Sequence, residues 1–230
     1  MLDVKNMLNY LVQSIKTINS NLIFVIILAL TNIYVFSGAM IYVAVLSAVF
    51  HFIVAVIAYG RIVSILTHQR PVDSVTMLKI NWLNYLIVTV VLGLPVFVLA
   101  SLPLGGLNVW IAKIGIGALI GGMSIYVYPI LFLKCEGIVS IIAGIYFVVK
   151  NLKFSSPLIV ATIVSSLVSN LLKFELLRHF SNLSSLLLVM ALMSFMVVYI
   201  DLTIFGTASL VLISETDLNY TDQCATAQNS

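Results

Sequence analysis

Asp201 sits about midway between Ser185 and Ser214, inside an otherwise apolar run. A carboxylate at the centre of a membrane-spanning helix costs about 2.5–3.5 kcal/mol on insertion scales, so it should face a bundle interior, water or a partner. His51 lies at a similar depth in an apolar run near the other end of the chain. A His51–Asp201 pair would satisfy both groups, and would relay protons or bind a cation. The plainer reading of both residues is a structural polar contact. A third reading ends the last apolar helix near Tyr199, which puts Asp201 at the interface and residues 202–213 flat along it.

Other chemistry is sparse. Gly117 and Gly121 form a small-xxx-small pair, with Gly115 and Gly122 beside it, the kind of surface that lets two helices approach closely. Packing within one chain is the expected use, ahead of an oligomer interface. Glu136, next to Lys134 and Cys135, reads as a charge marking a membrane boundary. Cys135 and Cys224 fall in segments expected in the cytoplasm, where thiols stay reduced, so neither a disulfide nor a metal site is expected. No HExxH, GxSxG or P-loop pattern occurs, and the polar turns are short. No catalytic residue, cofactor or metal is assigned, and an enzyme is not expected.

The elements that position these residues follow from composition. The chain is 62% hydrophobic and 8% charged, with mean hydropathy +1.18. Soluble domains carry about 25% charged residues, so a water-facing surface is excluded and the lipid bilayer is the first partner. A net charge of +3 with no basic-aromatic patch gives no reason to expect nucleic acid. An all-α polytopic bundle of six spans is the expected fold.

Residues 1–20 place Val4, Met7, Leu8, Leu11, Ile15 and Ile18 at helical spacing, with Asn6, Asn9, Gln13 and Lys16 opposite, as in a helix lying in the interface. They lack the central apolar block of a cleavable signal. Spans are expected at 22–37 and 40–60, with a turn at Ser37-Gly38. A loop around Pro71 leads through an amphipathic stretch, with Asp73 at its start, into spans at 83–101 and 109–133. Pro95 should kink the first of these. The interval from Glu136 to Lys150 makes roughly 20 Å of helix, short of the ~30 Å hydrocarbon core. It reads as an amphipathic elbow feeding spans at 156–173 and 186–212. Residues 214–230 read as a disordered cytoplasmic tail. The domain is thus a single transmembrane unit over 1–213.

With the N-terminus inside, Lys5, Lys16, Arg61, Arg70, Lys79, Lys134, Lys150 and Lys153 are cytoplasmic. Only Lys113, Lys173 and Arg178 of the 11 basic residues then lie outside. That bias puts both termini in the cytoplasm, in a multi-pass protein of the cell membrane. Three times a short amphipathic segment leads into a hairpin of spans, which suggests an internal repeat. Its elbow helices offer docking faces for a membrane or cytoplasmic protein.

Tyr59-Gly60-Arg61 with Arg70-Pro71, Tyr128-Pro129, and the run from Glu136-Gly137 to Lys150-Asn151-Leu152 resemble a broad group of prokaryotic six-helix membrane proteins. The group includes the membrane domain attached to some glycerophosphoryl diester phosphodiesterases, with related families of unknown function. The resemblance implies an anchor, scaffold or transport-associated part. It brings no catalytic residue, because the phosphodiesterase activity of that group belongs to a separate soluble domain. The expected function is a non-enzymatic scaffold or accessory subunit, of a transport complex. The alternative is a small transporter or channel using Asp201 and His51.

Overall fold

The last long helix is the axis of the fold. In the computed structural model, which describes residues 4–36, 41–67, 73–101, 107–134, 137–179 and 183–216, this helix runs unbroken from Leu183 to Thr216. In chain order the helices are α1 (Val4–Asn19), α2 (Leu22–Phe36), α3 (Ile41–Leu66), α4 (Ser74–Ser101), α5 (Leu107–Met123), α6 (Val127–Lys134), α7 (Ile138–Lys150), α8 (Leu152–His179) and α9 (Leu183–Thr216). Among the described residues there is no strand, and the fold is an all-α bundle. α9 packs against α1, α2, α3, α6 and α8. Its stretch from Leu202 to Leu212 is wholly buried.

Five helical stretches are long and apolar enough to cross a membrane: Val45–Leu66, Ser74–Pro95, Ile114–Lys134, Leu152–Asn170 and Leu187–Glu215. The chain is a multi-pass membrane protein. A sixth crossing arises if Asn6–Asn19 and Leu22–Asn32 count as one span bent by 79°. The span expected at 22–37 is therefore modified. With 15 residues, α2 rises only about 22 Å, and it reaches a full crossing only together with α1.

The break between α1 and α2 is written in Ser20 and Asn21. The Ser20 hydroxyl donates to the Thr17 carbonyl at 2.7 Å, and Asn21 Nδ2 donates to the same oxygen at 2.8 Å. Side chains thus satisfy the carbonyl ends that a continuing helix would have used. α1 turns Met7, Tyr10, Ser14, Thr17 and Ile18 toward the bundle. Leu8, Leu11 and Val12 stay exposed, as do Asn9, Gln13 and Lys16 on a different side. Leu8 and Leu11 of the apolar stripe expected to make one face are therefore not used for packing.

Three further expectations change. The amphipathic stretch before 83 is not a separate elbow. Asp73 caps α4, accepting the Val75 N–H at 3.2 Å, and the helix then runs without a break through Pro95 to Ser101. Within the span Ile114–Lys134, the helix expected at 109–133 is interrupted by a short turn between Met123 and Val127. Pro129 explains the break: it has no N–H to offer the Ile125 carbonyl, and its ring crowds that carbonyl. The chain instead makes a tight turn, with the Val127 N–H on the Ser124 carbonyl at 2.9 Å.

The elbow α7 is real but not amphipathic. Its buried line is Ser140, Gly144 and Val148, while Ile138, Val139, Ile142, Tyr146 and Val149 are exposed. A 13-residue helix with an apolar outer face suits the hydrocarbon edge better than a water-facing surface. Gly144 fixes its position: a Cβ there would stand 2.8 Å from the Val127 backbone nitrogen of α6. α8 begins directly after Asn151, and the Lys153 carbonyl that Pro157 cannot serve accepts the Ser156 hydroxyl at 2.9 Å. Ser37-Gly38, the Pro71 loop, Cys135, Glu136 and the tail beyond Thr216 lie outside the described residues.

Candidate functional site, an aspartate beside a tyrosine cluster

Four helices bring aromatic rings to one place inside the spans. Gly60 lets α3 approach α4, since a Cβ there would lie 2.9 Å from Met77 Sδ. Two turns further along this antiparallel pair, Phe52 and Tyr85 meet with ring centroids 5.2 Å apart. Tyr59 of α3 stacks on Tyr128 of α6 at 6.1 Å with planes 7° apart, and meets Phe205 of α9 at 4.4 Å. Phe132 lies against Tyr59, Tyr85 and Phe205. Such pairs add about 0.5–1.5 kcal/mol each beyond their buried area. The break at Pro129 matters here, because it makes α6 a separate short rod whose Tyr128 and Phe132 point into this cluster.

The polar atoms of the cluster gather at one side. Tyr85 and Tyr128 approach each other at 5.4 Å, and both phenols engage the Thr89 hydroxyl, Tyr128 at 3.4 Å. The Tyr59 ring centroid lies 6.1 Å from those of Tyr85 and Tyr128, and Asp201 stands one turn of α9 before the Phe205 that meets Tyr59. Asp201 and Thr89 are both exposed. Asp201 is one turn of α9 from Phe205, on the side of the helix that carries the buried Val198 and Ala208. It therefore stands at the edge of the packed face. Asp201 lies at the centre of the Leu187–Glu215 span, with roughly 20 Å of helix on either side.

His51 has a different setting. Its Nδ1 lies 2.7 Å from Thr31 Oγ1 on α2. Thr31 Oγ1 also lies 2.8 Å from the Leu28 carbonyl, and which group donates in the His51 contact follows the ring tautomer. Ser47 adds a bond to the Thr31 carbonyl at 3.0 Å. His51 thus joins α3 to α2. The residue beside Asp201 is Tyr59, eight positions further along α3 and about 12 Å away by helical rise. The alternative in which the last helix stops near Tyr199 is corrected, because α9 continues through Asp201 without interruption.

Gly121 of the small-residue pair faces α8, its Cβ position 3.4 Å from Thr162 Cγ2, and Gly122 sits tighter still, 3.1 Å from Ile159 Cγ2. Gly117 is half-buried on the same helix. The surface serves the α5–α8 contact within the chain. Among the described residues, no group of three His, Cys, Asp or Glu side chains could hold a metal ion.

The tyrosines were not predicted as site residues. A signal was present, since Tyr59 and Tyr128 both belong to the short motifs that carry the resemblance. What one sequence cannot give is that three tyrosines from distant stretches converge. Comparison with protein-family models, curated proteins and solved structures finds no match.

Proposed function

We propose that this chain is a non-enzymatic integral membrane protein that serves transport, as a scaffold or accessory subunit whose working group is Asp201. The observation that carries the reading is a carboxylate exposed at the centre of an apolar span. Exposed carboxylate surface at that depth is costly against lipid. We take that cost as favouring a working role for the carboxylate over mere packing. The resemblance through Tyr59-Gly60-Arg61 and Tyr128-Pro129 leans the same way, toward anchors and transport-associated parts. The excess of Lys and Arg near the ends that carry Arg61, Lys79, Lys134, Lys150 and Lys153 favours a cytoplasmic placement of both termini in the cell membrane.

A second reading, a small transporter or channel in its own right, draws on the hydroxyl groups of Thr89, Tyr85 and Tyr128 gathered at one side of the aromatic cluster, with Asp201 one turn of α9 from the Phe205 that packs on Tyr59. The two readings separate in proteoliposomes. An accessory subunit alone drives no proton- or cation-dependent flux. Flux by the purified chain that Asp201→Asn abolishes would favour the second reading. In native membranes the accessory reading expects an assembly larger than the chain itself on blue-native gels. A chain that runs alone and carries nothing would remove both.

A further inference from the structure

The outer face of α7 is apolar and ends on cations. Ile138, Val139, Ile142, Tyr146 and Val149 are exposed along it, and Leu152 at the start of α8 is exposed as well. Lys150 lies one turn after Tyr146 on that same face, and Lys153 is exposed in the first turn of α8. The inner line of α7, Ser140, Gly144 and Val148, is buried, with Gly144 tight against the Val127 backbone. That contact fixes which way the outer face points.

The charge at this end is one-sided. Between Asp73 and Glu175 the sequence holds a single acidic residue, Glu136, against Lys79, Lys113, Lys134, Lys150, Lys153 and Lys173. Glu136 comes before α7, whose 13 residues, about 20 Å of helix, separate it in sequence from Lys150. Among the described residues, neither Lys150 nor Lys153 makes an ion pair.

Two uncompensated cations at the rim of an apolar face are complementary to an amphiphile that carries a phosphate and hydrocarbon chains. An acidic water-soluble partner would match the lysines and leave Ile142 and Val149 in water. A neutral lipid or an apolar helix would match the face and leave the lysines without a counter-charge. Tyr146 marks the level of the rim, because tyrosine concentrates where hydrocarbon meets headgroups. The lysine stems can lie along the apolar surface while their ammonium groups reach the phosphate.

We infer that α7 and the start of α8 form a docking surface for an anionic phospholipid, its phosphate met by Lys150 and Lys153 and its chains lying along Ile142, Tyr146 and Val149. The inference is independent of the role of Asp201.

The test uses the full-length wild-type chain in phosphatidylcholine vesicles that carry a trace of photoactivatable lipid. The probe is either phosphatidylglycerol or phosphatidylcholine with a diazirine in one acyl chain. Mass spectrometry after proteolysis counts adducts on residues 138–149. Labelling by the phosphatidylglycerol probe should exceed that by the phosphatidylcholine probe about 20-fold, and unlabelled phosphatidylglycerol should compete it away. At the exposed Val49 and Phe50 of α3 the two probes should label alike. Lys150→Gln and Lys153→Gln should each lower the preference about fivefold. Labelling of α7 by the phosphatidylcholine probe should stay unchanged in both, which separates loss of the headgroup contact from misfolding. Equal labelling of wild-type α7 by the two probes would overturn the site, as would a preference that survives the double variant. Displacement by free glycerol phosphate would overturn the lipid assignment in favour of a soluble anion. Absence of both adducts from α7 would overturn it as well, by showing that protein or water covers the face.

Discussion

The Ser14 hydroxyl of α1 lies 3.3 Å from the Thr207 hydroxyl of α9, and both residues are fully buried. Thr207 also donates to the Thr203 carbonyl at 2.7 Å, while Tyr199 donates to Asn19 Oδ1 at 2.9 Å one end further along. α1 is therefore fastened along the C-terminal half of α9 by polar side chains, beside the Met7 and Ile18 of its apolar stripe that reach the core.

Gly206 makes that contact close enough to form. A Cβ at this position would stand 3.0 Å from Ser14 Oγ and 3.2 Å from Ser14 Cβ. Gly206→Leu should detach α1 and destabilise the chain by about 1–3 kcal/mol, as overpacking does elsewhere. The thermal midpoint in detergent would drop, and protease cleavage near residue 20 would rise. An unchanged midpoint would show that α1 is not held there.

The elbow α7 gives a paired test. Gly144→Ala pushes a methyl group into the Val127 backbone, which cannot swing aside as a side chain can. A loss of about 1–3 kcal/mol is expected. At Gly115 nothing lies within 4 Å of the new Cβ, and Gly→Ala in a helix is otherwise favourable by about 0.5–1 kcal/mol. Gly115→Ala should thus be neutral or stabilising in the same melting assay.

His51 should matter for the fold and little for the site. His51→Leu leaves Thr31 without its partner across the α2–α3 contact. Interhelical hydrogen bonds in membranes average about 0.6 kcal/mol and reach ~1.7. A midpoint shift of that small size is expected in detergent, and a shift several times larger would show that His51 holds more than the Thr31 contact.

The outer faces of the short helices should lie in different surroundings. Spin labels at Ile142 and Tyr146 of α7 should show high oxygen and low nickel-chelate accessibility, the pattern of hydrocarbon. Labels at Asn9 and Gln13 of α1 should show the reverse, with Leu8 intermediate. Water-like values at Ile142 would mean that α7 rests above the membrane, as its charged boundaries suggested.

Much of the fold was legible because the bilayer imposes it. Runs of apolar residues bounded by Arg61, Lys134 and Lys150 located the long helices and the short one between Glu136 and Lys150. What failed were the places where one residue changes the backbone. Pro129 was read as a motif and not as a break, because its effect depends on whether the Ile125 carbonyl finds another donor. The opposite error fell before Trp82. Periodicity there suggested a separate elbow, but no breaker stands between Asp73 and Ser101 that α4 does not tolerate. On α7 the charges at both ends implied a water-facing side, yet Ile138, Val139 and Ile142 between them already precluded one.

The site was half legible. Asp201 stood out because a carboxylate in an apolar run is costly wherever it points. Its neighbour did not, because depth along a helix says nothing about rotation. His51 and Tyr59 lie on the same helix, and only the packing of α3 against α9 places Tyr59 next to Phe205 and Asp201.

The proposed function makes Asp201 a working residue, and Tyr59, Phe205 and Phe132 the rings that hold the fold around it. The most direct measurement compares wild-type and Asp201→Asn chains twice: the thermal midpoint of the purified protein, and its apparent size in native membranes on blue-native gels. The prediction is an equal or higher midpoint for Asp201→Asn together with loss of the larger assembly. A midpoint lowered as far as in Gly144→Ala, with the assembly intact, would contradict it and make Asp201 a structural residue.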